Sequence, residues 1–216
     1  MTVATATDRL TLHLLGPCNV PGCVEFASPL HQQLSTGYEH CSTLVIPDTI
    51  GEWTSAHRTA RKRSARARRL GYVGMSLRDR GAYADDIYEI NVSAPERQGR
   101  PMSPGYHARP SSAPDSTPLC PLHGVHAYGV FAPDGPLVAY LWMYRSGDLA
   151  LVSSILGHAD HLANDVMYEL FHTALCSEVA VGAGVVVYNR EDSGTDGLRY
   201  FKSKLGFAGA DVEWLL

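Results

Sequence analysis

The sequence predicts an α/β (α+β) protein built on a mixed, mostly antiparallel, twisted sheet flanked by helices, and three features of its second half carry that expectation. First, VHAYGVFA (125–132) and PLVAYLWMYR (136–145) are strand-like runs joined by Asp134-Gly135, a hairpin-turn dipeptide. Ser146-Gly147-Asp148 then turns the chain into a third apolar run, LALVSSILG at 149–157. Second, Leu162, Val166, Leu170 and Ala174 recur at the four-residue spacing of an amphipathic helix. Third, VVVYN at 185–189 is an unbroken β-branched run, the pattern of a strand covered on both faces. Asp196 to Lys204 follows as a short helix with Leu198, Phe201 and Leu205 inward, Gly206 stops it, and DVEWLL is the last strand. The order is β-β-β-α-β-α-β.

The first half is less regular. Residues 1–50 alternate short apolar runs (LTLHLL, STLVIP) with Gly and Pro, which suggests a few short strands and turns. Residues 52–70 read as one helix, opened by Glu52, Trp53 and Ala56 and followed by Gly71. A second helix is expected at 84–92, with Ile87 and Ile90 on one face and Asp85 and Asp86 favourably placed in its first turn. Six of the 13 prolines fall between 101 and 121, so the Pro/Ser-rich stretch 101–124 reads as a long loop with the length of a lid. One domain is expected over 1–216, with its core at 125–216.

Composition and charge narrow the function. Apolar residues make up 45% and charged residues 19%, a globular balance, and no run approaches the ~20 apolar residues of a membrane span. With no basic n-region at the N-terminus, a cytoplasmic protein with no membrane partner is expected. Five cysteines, an odd number, argue for reduced thiols. Cys18, Cys23, His31 and Cys41 fall within 24 residues, but no second close ligand pair follows, and no metal is expected. The net charge of −4 conceals a block: residues 58–69, RTARKRSARARR, hold seven of the 18 basic residues and no acid. Such a helix asks for an anion, whether tRNA, DNA, a nucleotide substrate or the acidic remainder of the protein, with Arg58, Arg61 and Arg66 among the contacts.

The closing residues carry a family resemblance. Leu205-Gly206-Phe207, with an aromatic residue shortly before it, is similar to the end of the last helix of the GNAT (acyl-CoA N-acyltransferase) superfamily. Gly197-Leu198, then Phe201-Lys202, then Gly206-Phe207 resembles the G-L-x-x-F-K-x-x-F-G pattern of Fem-type aminoacyl and peptidyl transferases. HRTARKRSARARRLGY at 57–72 resembles their Arg-rich helix. The resemblance covers 125–216 closely and 52–100 more loosely. It implies a GNAT-like fold and the transfer of an acyl or aminoacyl group to an amine of a small-molecule or nucleotide-containing acceptor. The donor it implies is an acyl-CoA such as acetyl-CoA, or an aminoacyl-tRNA. Two departures point towards the Fem branch. LGHADHLANDVM (156–167) has Gly157 but no spaced glycine pair to cradle a pyrophosphate. Lys202 stands where GNAT enzymes usually carry an acid tyrosine, and Fem-type enzymes carry a lysine there too.

Acyl transfer needs a positioned nucleophile, a donor to the developing oxyanion and a route for the departing proton. By the resemblance, Lys202 would bring a cation to the oxyanion. Strand 150–157 would present backbone N–H groups beside the donor carbonyl, with Ser153 and Ser154 near its centre, although the same pair also suits a β-bulge. Tyr188 and Asn189 end the buried strand on the side where α/β sheets place ligands. Gly157, His158 and Phe201 complete the donor side, and His158 and His161 are candidates for proton transfer. Asn91, Arg97, Gln98 and Arg100 are candidates for acceptor or anion binding, since Pro95 and Gly99 put the arginines on a loop. A V-shaped gap for the donor is expected near Ser153 and Tyr188. The competing reading is a GNAT-fold nucleic-acid-binding protein that uses 58–69 and catalyses nothing.

Overall fold

The computed structural model describes residues 9–110 and 120–216; the centre of the Pro/Ser-rich stretch, 111–119, lies outside them. In chain order the elements are β1 (Arg9–His13), α1 (Cys23–Ser35), β2 (His40–Val45), α2 (Ile50–Ala56), α3 (Arg58–Arg69), β3 (Val73–Ser76) and α4 (Ala84–Val92). A small hairpin of β4 (Glu96–Arg97) and β5 (Arg100–Pro101) follows. The second half is β6 (His123–Phe131), β7 (Leu137–Ser146), β8 (Leu149–Gly157), α5 (Val166–Ala180), β9 (Val185–Arg190), α6 (Asp196–Leu205) and β10 (Ala208–Leu215), in the expected order. One eight-stranded sheet runs β1-β10-β2-β9-β8-β7-β6-β3. Only the β8–β9 and β1–β10 pairs are parallel. No described helix is long and apolar enough to cross a membrane.

The side-chain alternation of β7 explains the layers. Ala139, Leu141 and Met143 join the core that α5 covers, whereas Tyr140 and Trp142 point to the other face, under α4. A strand covered on both sides must be apolar throughout, and LVAYLWM is buried at every position. On the α4 side, α1 packs Ala27, Leu30 and Leu34 against Leu149, Leu151, Val185 and Val187.

Three expectations are corrected. Residues 23–35 are helical, not short strands: Cys23, Ala27, Leu30 and Leu34 form a buried helical stripe, with Pro29 on the exposed side. The 52–70 helix is two, α2 and α3, broken at His57 (φ −107, ψ 63), with Thr49 capping α2 by accepting from the Glu52 amide. The break docks on the end of α6: the Trp53 indole donates to the Leu205 carbonyl at 2.9 Å, and a Cβ on Gly206 (φ 96) would run into the His57 ring. Leu162 is exposed in a 3-10 turn (Ala159–Asn164) and does not begin α5, which starts after Asp165 (φ 64). Strand β9 lies beside β8, with β2 on its other side.

His172, on α5 beneath α3, has its pKa pushed down to about 4, first by burial and then by Arg68. Its folded value lies below the ordinary 6.5, so the unfolded chain binds the proton more readily between the two. Stability is therefore expected to fall as pH drops from about 6.5 towards 4, and His172→Gln should flatten that part of a urea-midpoint profile.

Candidate functional site

β8 and β9 pair from Leu149–Val185 to Leu151–Val187 and no further. Beyond that point the strands splay, because Ser153 is an extra residue: Trp142 faces Ser154 and Met143 faces Val152 across the β7–β8 ladder. The bulge reading of Ser153-Ser154 therefore holds, and both serines line the opening beside it. The V-shaped opening expected near Ser153 and Tyr188 is present.

Two adjoining cavities fill it and share Arg97, Gln98, Ile155, Leu156, Tyr188 and Leu198. One, of about 410 Å³, is mostly apolar and reaches Gly157, Met167, Gly197 and Phe201. The other, of about 320 Å³, is polar and reaches Arg100, Tyr106, Ser153, Ser154, Asn189 and Ser193. Part of the Pro/Ser-rich stretch, Pro101 to Tyr106, forms a wall of the second, as the length of that loop led one to expect.

Tyr188 separates the two. Its ring is stacked near Phe171 and meets Phe207 edge-on, and burial raises its phenol above the ordinary range. Among the described residues its hydroxyl has no hydrogen-bond partner, while the buried tyrosines Tyr128 and Tyr140 both have one.

Several expected site residues sit elsewhere. Lys202 is 3% exposed rather than solvated, and it lines neither cavity. Its ammonium lies 5.0 Å from the Tyr188 ring centre and donates to the Arg190 carbonyl at 3.4 Å; burial lowers its pKa. Asn91 is buried and accepts from the Tyr140 hydroxyl at 2.7 Å, so it serves packing. His158 lines neither cavity; its Nδ1 accepts from the Asp160 amide and starts the 3-10 turn. His161 bonds to the Tyr72 hydroxyl at 2.8 Å.

Arg97 is a clip as well as a wall. It donates to the Gly157 and Ile90 carbonyls and to Ser93 Oγ, each at 2.9 Å, which ties the end of α4 to the end of β8. Its neighbours Gln98 (φ 52) and Gly99 (φ 71) form the two-residue turn of the β4–β5 hairpin, leaving Arg100 exposed at the polar cavity. Asn189 (φ 62) accepts the Arg190 amide on its own side chain.

On α3 one face carries no charge. Ala60, Ser64 and Ala67 pack inward, and the acids of α5 answer three arginines. Arg63 and Arg66 reach Asp165 at 3.3 and 3.1 Å, and Arg68 reaches Glu169 at 3.4 Å. Arg58, Arg61, Lys62 and Arg69 have no carboxylate partner among the described residues. Arg61, Lys62, Arg66 and Arg69 line a shallow basin that includes Asp165, at the N-terminus of α5. Met167, the second residue of α5, lines the apolar cavity, so basin and cavity border the same helix end without sharing a lining residue.

A sheet splayed at its parallel strand pair, with a helix N-terminus beside the gap, is a GNAT-like fold. Among solved structures, FemX has this fold at a TM-score of 0.60, covering 80% of this chain and 60% of that one, at 9% identity. L-PGS from Bacillus licheniformis aligns at 0.50, covering 79% and 57% at 13% identity. A GCN5-related N-acetyltransferase from Kribbella flavida aligns more loosely at 0.43, covering 64% and 47% at 13% identity. The chain thus spans about 60% of the FemX structure. It matches no protein-family model and no curated protein.

Proposed function

We propose that the protein is an aminoacyl- or acyltransferase whose donor carries a polyanionic group, aminoacyl-tRNA before acyl-CoA, and whose acceptor is an amine. The observation that supports this reading is that the apolar cavity and the basin of α3 cations border the same end of α5, at Met167 and Asp165. The carbonyl end of a donor would lie in the gap between β8 and Tyr188, and its phosphates over Arg58, Arg61, Lys62 and Arg69. The Asp165 carboxylate already sits at the α5 N-terminus, where an ordinary CoA enzyme would seat a diphosphate, which weighs against CoA.

In this reading the amine attacks the donor carbonyl, the new C–N bond forms, and the ester C–O bond breaks. The proton lost by the amine ends on the leaving hydroxyl. Tyr188 donates to the carbonyl oxygen as negative charge develops on it. Lys202 acts as a positioning residue, holding the Tyr188 ring and the end of β9. Arg97 and Arg100 face the acceptor side.

The test is transfer from labelled aminoacyl-tRNA and, separately, from labelled acetyl-CoA to a panel of amines. Turnover with neither donor, together with salt-sensitive tRNA binding, would favour the second reading, a binding protein without chemistry; the exclusion of Lys202 from the cleft speaks for that alternative. The binding itself has a signature. Affinity for tRNA should fall steeply with salt, and replacing Arg58, Arg61, Lys62 and Arg69 with Gln should make the log–log slope shallower by about 3. An unchanged slope would leave α3 a solvated face.

A further inference from the structure

We propose that Cys18, Cys23, Cys120 and His123 form a structural zinc site that fastens the segment before α1 to the start of β6. The sequence expectation grouped Cys18 and Cys23 with His31 and Cys41, but both of those are engaged elsewhere. His31 bonds to the Trp214 carbonyl at 3.1 Å, and the Cys41 thiol donates to the Tyr38 carbonyl at 3.2 Å. The second ligand pair does exist; it lies about a hundred residues downstream as Cys120-Pro-Leu-His123. A C-x4-C pair meeting a C-x2-H pair is the two-cluster arrangement that structural zinc sites use.

The geometry points to a single tetrahedral ion. The three sulfurs and the His123 ring nitrogen all lie within 4.8 Å of one another. Cys18 and Cys23 Sγ stand 3.5 and 3.7 Å from Cys120 Sγ, which stands 3.3 Å from His123 Nδ1. With Zn–S of about 2.3 Å and Zn–N of about 2.0 Å, a regular tetrahedron has S···S edges of about 3.8 Å and S···N edges of about 3.5 Å. A disulfide would need about 2.05 Å. The four atoms are spaced as the corners of a zinc coordination sphere, and too far apart to be bonded to each other.

The surroundings are those of a metal site too. His123 is fully buried, and its Nε2 donates to the Leu14 carbonyl at 2.9 Å, which fixes the tautomer and leaves the Nδ1 lone pair facing the thiols. The Leu122 amide points at Cys120 Sγ from 3.4 Å, a donor to a thiolate. Cys23 is fully buried as the first residue of α1, where the helix dipole favours a negative sulfur. Three thiolates and one imidazole select zinc over harder ions, and four protein ligands leave no open position, so the site is structural. It sits at the end of β6 that pairs with Ser146, whereas the cleft opens at the far end of β8. Loading would displace the three thiol protons and join two segments about a hundred residues apart.

The experiment is metal analysis of the full chain, expressed with zinc and purified without chelator. About one zinc per chain is expected, with near-complete loss in Cys120→Ser and His123→Ala and full retention in Cys41→Ser and Cys176→Ser. Cobalt exchanged into the wild-type protein should give the intense visible bands of a tetrahedral ion and a thiolate-to-cobalt charge-transfer band. Both readings use wild-type protein, so they stand even where a ligand variant fails to fold. Absence of zinc from the wild type would overturn the site, as would octahedral cobalt bands, mapping of a disulfide within the cluster, or zinc loss in Cys41→Ser equal to that in Cys120→Ser.

Discussion

Tyr188→Phe is expected to lower kcat by about 10²-fold while leaving donor Kd and the unfolding midpoint nearly unchanged. The substitution removes one oxygen, from a residue that lines both cavities, that has no partner among the described residues, so no protein hydrogen bond is lost with it. If that hydroxyl meets the carbonyl oxygen only as charge builds, its contribution belongs to the transition state, and kcat and kcat/KM should fall together. Lys202→Met makes the contrast. It removes the ammonium that lies over the Tyr188 ring and keeps an aliphatic stem of similar length, so kcat should fall less than in Tyr188→Phe. Lys202→Ala should also lower stability, because this lysine is buried. Wild-type turnover from Tyr188→Phe would remove the hydroxyl from the mechanism and return the question to β8.

The second large effect is on stability. Glu178 is fully buried on α5, and it accepts from the Tyr128 hydroxyl at 2.6 Å and bonds to His126 Nδ1 at 2.7 Å. Its other oxygen lies 3.7 Å from Nε of Arg145, itself wholly buried, a distance of charge pairing and not of hydrogen bonding. Arg145 otherwise gives one nitrogen to the Gly147 and Leu149 carbonyls. Glu178→Ala would leave a buried guanidinium without its counter-charge and two polar side chains without their acceptor, at a cost of about 3–5 kcal/mol. Glu178→Gln, which keeps an acceptor for Tyr128, should cost less. Urea denaturation reads both, and a loss under about 1 kcal/mol would mean that Arg145 reaches water by a small shift of β7.

The second half of the fold was legible because its signals are local: turn dipeptides, an unbroken β-branched strand and a glycine stop each act within a few residues. The first half was misread where two signals competed. In 23–35 the helical stripe Cys23, Ala27, Leu30 and Leu34 was present, but Pro29 argued against it, and the helix tolerates that proline by facing it outward. Nothing local marks His57 as a break; the docking of Trp53 and His57 on α6 imposes it. The cleft was legible in outline, since Ser153 and Tyr188 line it, whereas Asn91 and His158 went astray because polar residues near a cleft also serve as caps and buried partners. Half of the Cys/His group was visible as Cys18 and Cys23, but its second pair, Cys120 and His123, lies about a hundred residues away and only the fold brings it alongside.

The insertion of β2 between β9 and β10 has a consequence for the growing polypeptide. Strand β2 is made early, yet both of its neighbours come from the far end of the sequence, and β1 likewise waits for β10. At a synthesis rate of about 5–20 residues per second, these early strands exist for roughly 10 s or more before anything can pair with them. For that interval His40–Val45 presents two bare edges, and its sequence HCSTLV has no proline or lysine to blunt them. A nascent chain built this way leans on whatever shields it as it leaves the ribosome, and slowing translation between Val45 and Ala208 should lower the soluble yield rather than raise it.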